Sequence, residues 1–156
     1  MKTYILQELN EGNAARIDTL LHMLSPDAPA LGPARLAKLL AGESFWLFVT
    51  EDADGQLAGM LTLTRCHTLS RSKFWIEDVI VDPAYRGQGV GRALVHAAVE
   101  YVRADGEHEH TIGESTTGYE RKPSLYLTSN PSRTAARALY RSEGFEEYET
   151  GVFRIV

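Results

Sequence analysis

Arg86, Gly87, Gly89 and Gly91 stand where an apolar run, FWIEDVIV from Phe74 to Val81, gives way to an amphipathic one, RALVHAAVEYV from Arg92 to Val102. Three glycines in five positions at a strand-to-helix junction leave unpaired N–H groups beside the positive end of a helix dipole. That is a ready anion site, above all for a pyrophosphate. The glycines permit positive φ and remove the Cβ atoms that would hold a phosphate off. Spacing separates the phosphate-binding templates. A P-loop ends in Gly-Lys-Ser/Thr, and this turn has no lysine. The dinucleotide pattern G-x-G-x-x-G fails in both registers, because Arg92 or Leu94 falls on the third glycine. Arg/Gln-x-x-Gly-x-Gly/Ala fits, with Arg86, Gly89 and Gly91 in the fixed places. The three glycines alone fit a plain turn ahead of a helix equally well.

A second segment narrows the choice. SRTAARALYRSEGF, from Ser132 to Phe145, reads as a helix that carries a late Leu-Tyr and ends in Gly-Phe. With both segments in this order, the sequence resembles the GNAT-type N-acetyltransferases. IEDVIVDPAYRGQGVGRALV, from Ile76 to Val95, is similar to that family's acetyl-CoA motif, and Ser132 to Phe145 to its second cofactor motif. The likeness covers about the whole chain, the N-terminal third in outline only. It implies an α/β fold: one domain over 1–156 with a mixed, mostly antiparallel twisted sheet of six to seven strands and about four helices. The acetyl-CoA strand would splay from its neighbour in a V.

The resemblance also implies acetyl-CoA as co-substrate. Backbone N–H groups near Val79, Ile80 and Val81 would hold the thioester oxygen and pantetheine arm, an oxyanion-type arrangement. Arg86, Gly87, Gln88, Gly89, Val90, Gly91 and Arg92 would hold the pyrophosphate. Close relatives carry an asparagine three residues before the tyrosine; this chain has Arg137 there, and Asn130 is the substitute candidate. Arg137 either contacts a coenzyme A phosphate or faces solvent.

Acetyl transfer to an amine requires a deprotonated amine, a polarised carbonyl, a proton for the leaving thiolate and alignment of both reactants. Tyr140 occupies the family's general-acid position, and a phenol with a pKa of about 10 is a fair donor to a thiolate. Its plain reading is a core Leu-Tyr pair. Glu77, a carboxylate in a largely apolar strand, is the candidate base, acting directly or through water. Its plain reading is a salt-bridged structural carboxylate. Strand side chains alternate, so Asp78 is expected on the opposite face in a structural role. An amine attacking directly needs no acyl carrier, so Cys66 reads as a half-buried filler. His108 and His110 in a polar stretch read as solvated, and no metal is assigned.

At 156 residues, with 44% hydrophobic and 24% charged residues, the chain can bury a substantial single core. It has no apolar run near the length of a membrane span and no secretory-type start, so export and membrane insertion are not expected. A lone cysteine suits a reducing cytoplasm. A net charge of −5 shows no basic surface for nucleic acid and is compatible with a cationic amine.

The elements that must position these residues follow from periodicity and turn signals. A first strand spans Thr3–Glu8 and a helix Asn13–Leu24. A three-proline loop and a short helix with Leu36, Leu39 and Leu40 come next. Ser44–Thr50 and Gln56–Thr64 form a hairpin around Asp52-Ala53-Asp54-Gly55. Lys73–Val81 is the motif strand, with its helix running to Val102. Ser124–Ser129 is a fifth strand, and Phe145–Val156 supplies one or two more. Arg103–Pro123 reads as an atypically long surface loop. The acceptor, a small-molecule or peptide amine, would lie near the loop from His22 to Ala34. Two alternatives remain: an acyltransferase with another acyl-CoA or an alcohol acceptor, and a non-catalytic acetyl-CoA sensor, against which Tyr140 and Glu77 argue. Homodimers are common in the family, and the sequence does not decide the oligomeric state.

Overall fold

A computed structural model of the chain describes residues 1–69, 72–112 and 124–155. Five strands form one sheet in the order β1 (Lys2–Ile5), β2 (Phe45–Glu51), β3 (Leu57–His67), β4 (Ser72–Val81), β5 (Ser124–Leu127). The first four pair antiparallel; β5 lies parallel to β4, reached by a helical crossover. Helices α1 (Glu11–Leu24) and α2 (Pro33–Leu40) precede β2; α3 (Val90–Ile112) links β4 to β5, and α4 (Thr134–Ser142) follows β5.

The sheet is covered on both faces, and alternation along β2 shows how. Leu47 and Val49 join Ile17, Leu20 and Leu36 in a core under α1 and α2. Phe48, between them, joins Leu94, Val95 and Ala98 of α3 in the other core. A side chain such as Leu94, with no exposed surface, contributes roughly 1.5–3 kcal/mol by leaving water. Local signals set the helix starts. Asn10 and Asn13 exchange side-chain bonds with each other's backbone N–H at 2.9 Å and cap α1, and Pro33 opens α2.

Three expectations are corrected. α3 runs ten residues past Val102, so Arg103–Ile112 is helix rather than loop. Gly106 costs about 1 kcal/mol in a helix, but the surrounding Arg, Ala and Glu are strong helix formers. Glu100 pairs with Arg103 at 2.6 Å, and Asp105 with Arg65 of β3 at 3.4 Å. The rest of that expected loop, 113–123, lies outside the described residues. Secondly, among the described residues the sheet has five strands, not six to seven, because 145–155 pairs with no strand. Glu147 is held instead by Arg137 and Arg141 of α4, and Tyr148 sits edge-on to Tyr126. The Glu146, Glu147, Glu149 and Gly151 run also disfavours extended pairing. Thirdly, Cys66 is exposed, since β3 outruns the helical cover at that end.

Candidate active site

β4 creates the site where its pairing with β5 ends and its register with β3 shifts. Its pairing with β5 runs from Lys73↔Ser124 to Ile76↔Leu127 and stops, so residues 77–81 have no strand partner on that side among the described residues. On the other side the register with β3 shifts: between Met60↔Ile80 and Thr62↔Glu77, Leu61 alone opposes Asp78 and Val79. This is a β-bulge, and Asp78 takes its strained position at φ 46°. Aspartate tolerates that region better than most residues.

The bulge overturns the expectation that Glu77 and Asp78 face opposite ways. Glu77 lies opposite Thr62, on the face where Met60 and Ile80 join the α1–α2 core. Asp78 accepts from the Thr62 hydroxyl at 3.0 Å and lines a cavity of about 180 Å³ with Ile17, Leu21, Leu36 and Leu39. Both carboxylates therefore meet on the α1–α2 side. Partial burial pushes the Glu77 carboxyl above its ordinary value although the side chain as a whole is exposed, and the charge of Asp78 adds to the rise. Glu77 lines neither this cavity nor the groove described next.

Across the sheet, β4, the turn before α3 and α4 enclose a groove of about 700 Å³. Val79, Ile80 and Val81 form one wall, and Arg86, Gly87, Gly89, Val90, Gly91 and Arg92 the end at the α3 N-terminus. Gly87 and Gly89 have φ of 76° and 81°, so the turn uses the freedom expected of it. Gly91 sits where a Cβ would come within 3.3 Å of Leu139 and 3.5 Å of Val81, which lets α3, α4 and β4 close together. The turn is pinned from behind. Asp82 caps Ala84 N–H at 2.8 Å and pairs with Arg16 of α1 at 2.5 Å, while Tyr85 donates to Asp52 of the hairpin at 2.6 Å.

Tyr140 reaches the groove from α4 and is 5% exposed. Burial raises its hydroxyl above the ordinary tyrosine value, with Arg133 working the other way. Arg133 is the residue that sequence reading missed. It lines the groove and donates to Val79 O at 3.4 Å, giving a third arginine beside Arg86 and Arg92. Its one signal in the sequence is a basic residue just ahead of the second motif helix.

Two candidates stand apart from the groove walls. Gln88 donates to Ala84 O at 3.2 Å, and Asn130 accepts from the Ser132 N–H and hydroxyl at 2.9 and 2.8 Å. Arg137 is neither at the groove nor left to solvent: it pairs with Glu147 at 2.8 Å and donates to Ser129 O at 3.3 Å. Cys66 pairs with Lys73 near the far end of β4 from the bulge. Among the described residues no cluster of His, Cys, Asp and Glu could hold a metal, and no helix is long and apolar enough to cross a membrane.

Residues 42–147, which contain the bulged strand, the turn and α4, match the family model described as an acetyltransferase (GNAT) domain. The chain belongs to the GNAT acetyltransferase family. It is 37% identical over 59 residues to the streptothricin acetyltransferase of Streptomyces lavendulae, covering 38% of this chain and 30% of that one. It is 27% identical over 99 residues to the N-alpha-acetyltransferase RimI of Mycobacterium tuberculosis, covering 64% and 51%. The chain thus spans about a third and about half of these two relatives' lengths. A solved structure described as a putative acetyltransferase from Agrobacterium tumefaciens superposes with a TM-score of 0.75 at 26% identity, covering 100% of this chain and 99% of that one.

Proposed function

We propose that the protein transfers the acetyl group of acetyl-CoA directly to a primary amine in a ternary complex. Membership of the GNAT family supports acetyl transfer in general. The observation that carries the finer reading is the bulge itself: Val79 lines the groove and its neighbour Asp78 lines the cavity, so a donor and an acceptor can approach one point of β4 from opposite sides.

The groove suits acetyl-CoA. First-turn N–H groups of α3, the positive-φ glycines and the side chains of Arg86, Arg92 and Arg133 suit its phosphates. Outward backbone groups of residues 79–81, with no β5 partner, suit the pantetheine amides and the thioester oxygen. Glu77, its carboxyl raised above the ordinary glutamate value by burial and then by the charge of Asp78, takes the amine's proton through a water. The nitrogen then attacks the thioester carbonyl, the N–C bond forms, the C–S bond breaks, Tyr140 protonates the departing sulfur, and the surplus proton on the acylated nitrogen restores the Tyr140 hydroxyl. Cys66 lies too far along the sheet to relay an acyl group. The two curated relatives act, by their names, on streptothricin and on an α-amine, so likeness alone does not choose the acceptor.

Two-substrate kinetics test the proposal. Varying acetyl-CoA at several amine concentrations should give intersecting reciprocal plots. Parallel plots, the pattern of a covalent acyl-enzyme, would refute direct attack.

A further inference from the structure

The cavity under α1 and α2 has a chemical character of its own. Its wall is almost wholly apolar, from Ile17, Leu21, Leu36, Leu39 and Met60, and two charged side chains open onto it, Asp78 and Arg35. They do not pair with each other. Asp78 accepts only from Thr62, and Arg35 has no side-chain partner among the described residues. A carboxylate and a guanidinium that line one apolar cavity, neither of them in an ion pair among the described residues, complement a ligand with an ammonium, an apolar body and an anionic group.

Size restricts that ligand. An apolar cavity of ~150 Å³ admits one benzene, and this one has about 180 Å³, enough for one ring or a branched aliphatic chain. A long polyamine or several fused or linked polar rings would exceed it, and would leave hydroxyl and ammonium groups unpaired against leucine and isoleucine. Arg35, Leu39 and Phe45 also line a second hollow of about 540 Å³ beside it, where Lys38 and Glu43 bring opposite charges. Arg35 therefore lies where the two hollows meet, and Asp78 lies beside Thr62 of β3.

We propose that the acceptor is a small apolar amino carboxylate, its side chain in the cavity, its ammonium on Asp78 and its carboxylate on Arg35. This rests on the acetyl transfer proposed above. The bulge makes it possible, because a regular strand would turn Asp78 to the other face. Asp78 then holds the nitrogen beside the thioester as a binding residue, and Glu77 remains the base. The carboxylate contact is selective, since Arg35 pairs with it in a bidentate fork that an uncharged amine cannot use.

The test is calorimetric binding to the protein saturated with coenzyme A, which reads the cavity without needing turnover. L-phenylalanine and L-leucine should bind at least tenfold more tightly than 2-phenylethylamine and isopentylamine. They should also bind more tightly than spermidine or kanamycin. Arg35→Gln should remove that tenfold advantage and leave the two simple amines within twofold. Asp78→Asn should weaken all four by at least fivefold, and Leu36→Trp, which fills the cavity, should abolish binding of all four. The inference is overturned if spermidine or kanamycin binds best, if Arg35→Gln weakens amino acids and simple amines alike, or if no amino acid binds. Amino-acid binding with no coenzyme A release from acetyl-CoA would uphold the cavity's ligand and refute acetyl transfer, so the two failures are separable.

Discussion

The N–H of Phe145 donates to the carbonyl of Tyr140 at 3.0 Å, and the Phe145 ring packs edge-on against the Tyr140 ring with centroids 6.2 Å apart. Gly144 stands between α4 and Phe145 at φ 90° and donates to Arg141 O at 3.1 Å. Together these bonds are a Schellman ending. The Gly-Phe that closes the second motif thus fixes the turn of helix from which Tyr140 enters the groove.

Replacement of Tyr140 by Phe keeps that packing and removes only the hydroxyl proposed as proton donor. We expect kcat to fall by about 10²-fold, within the usual range for one general acid, while the acetyl-CoA dissociation constant stays within twofold by calorimetry. Equal losses in kcat and in acetyl-CoA affinity would make Tyr140 a packing residue. Gly144→Ala should lower unfolding stability by about 1 kcal/mol through its positive φ, measured by urea titration.

The rate should depend on pH through Glu77. A base works deprotonated, and burial followed by the charge of Asp78 raises this carboxyl, so the acidic limb of kcat should lie above the ordinary glutamate value of ~4.3. Removing the neighbouring charge in Asp78→Asn should move that limb to lower pH. Movement to higher pH, or an acidic limb that survives in Glu77→Gln, would remove Glu77 from the role of base.

Groove chemistry predicts how acetyl-CoA binding responds to charge. Arg86 has no side-chain partner among the described residues and lines the groove end. Arg86→Gln should weaken acetyl-CoA about tenfold, the scale of one lost charge-assisted contact, and Arg133→Gln by a similar factor. Affinity should fall as salt rises. Gly89→Ala, at φ 81°, should weaken binding by straining the turn, without changing the far-ultraviolet circular dichroism.

Stability should carry its own pH signature at Asp82. Its carboxyl is held below the ordinary aspartate value, first by the Arg16 hydrogen bond and then by the Ala84 N–H. A depressed folded-state value means the contribution is complete above the unfolded pKa, ~3.9, and is lost as pH falls through the lower folded one. Asp82→Asn should cost about 1–3 kcal/mol at neutral pH and flatten the acid side of the urea-midpoint profile. Gly59→Ala should destabilise at every pH, because a Cβ there would lie 2.7 Å from Ile80 O.

Much of this was legible because particular residue types have few other uses. Glycines at 87 and 89 announced positive φ, and the Asp-Gly of 54–55 announced the hairpin; all three glycines lie between 76° and 81°. The bulge was not legible as a direction. Period-two alternation treats β4 as regular, and which face Asp78 takes depends on how β3 registers against it. Gly106 reads locally as a stop, whereas α3 is carried past it by helix-forming neighbours and by the Asp105–Arg65 pair from another strand. Phe145–Val156 reads as one or two further strands, yet a strand exists only with a partner edge, and α4 arginines claim Glu147 first. Arg133 was missed for the same reason: its reach to Val79 O is set by tertiary structure.

The groove is proposed to deliver acetyl from coenzyme A to an amine. The most direct measurement is the rate of free coenzyme A thiol release from acetyl-CoA, with and without L-phenylalanine, L-leucine and a broader amine panel, using wild type, Glu77→Gln and Tyr140→Phe. Wild type should release coenzyme A in an amine-dependent way, and either variant should do so about 10²-fold more slowly. Release that no amine accelerates, or that both variants match, would contradict that proposal.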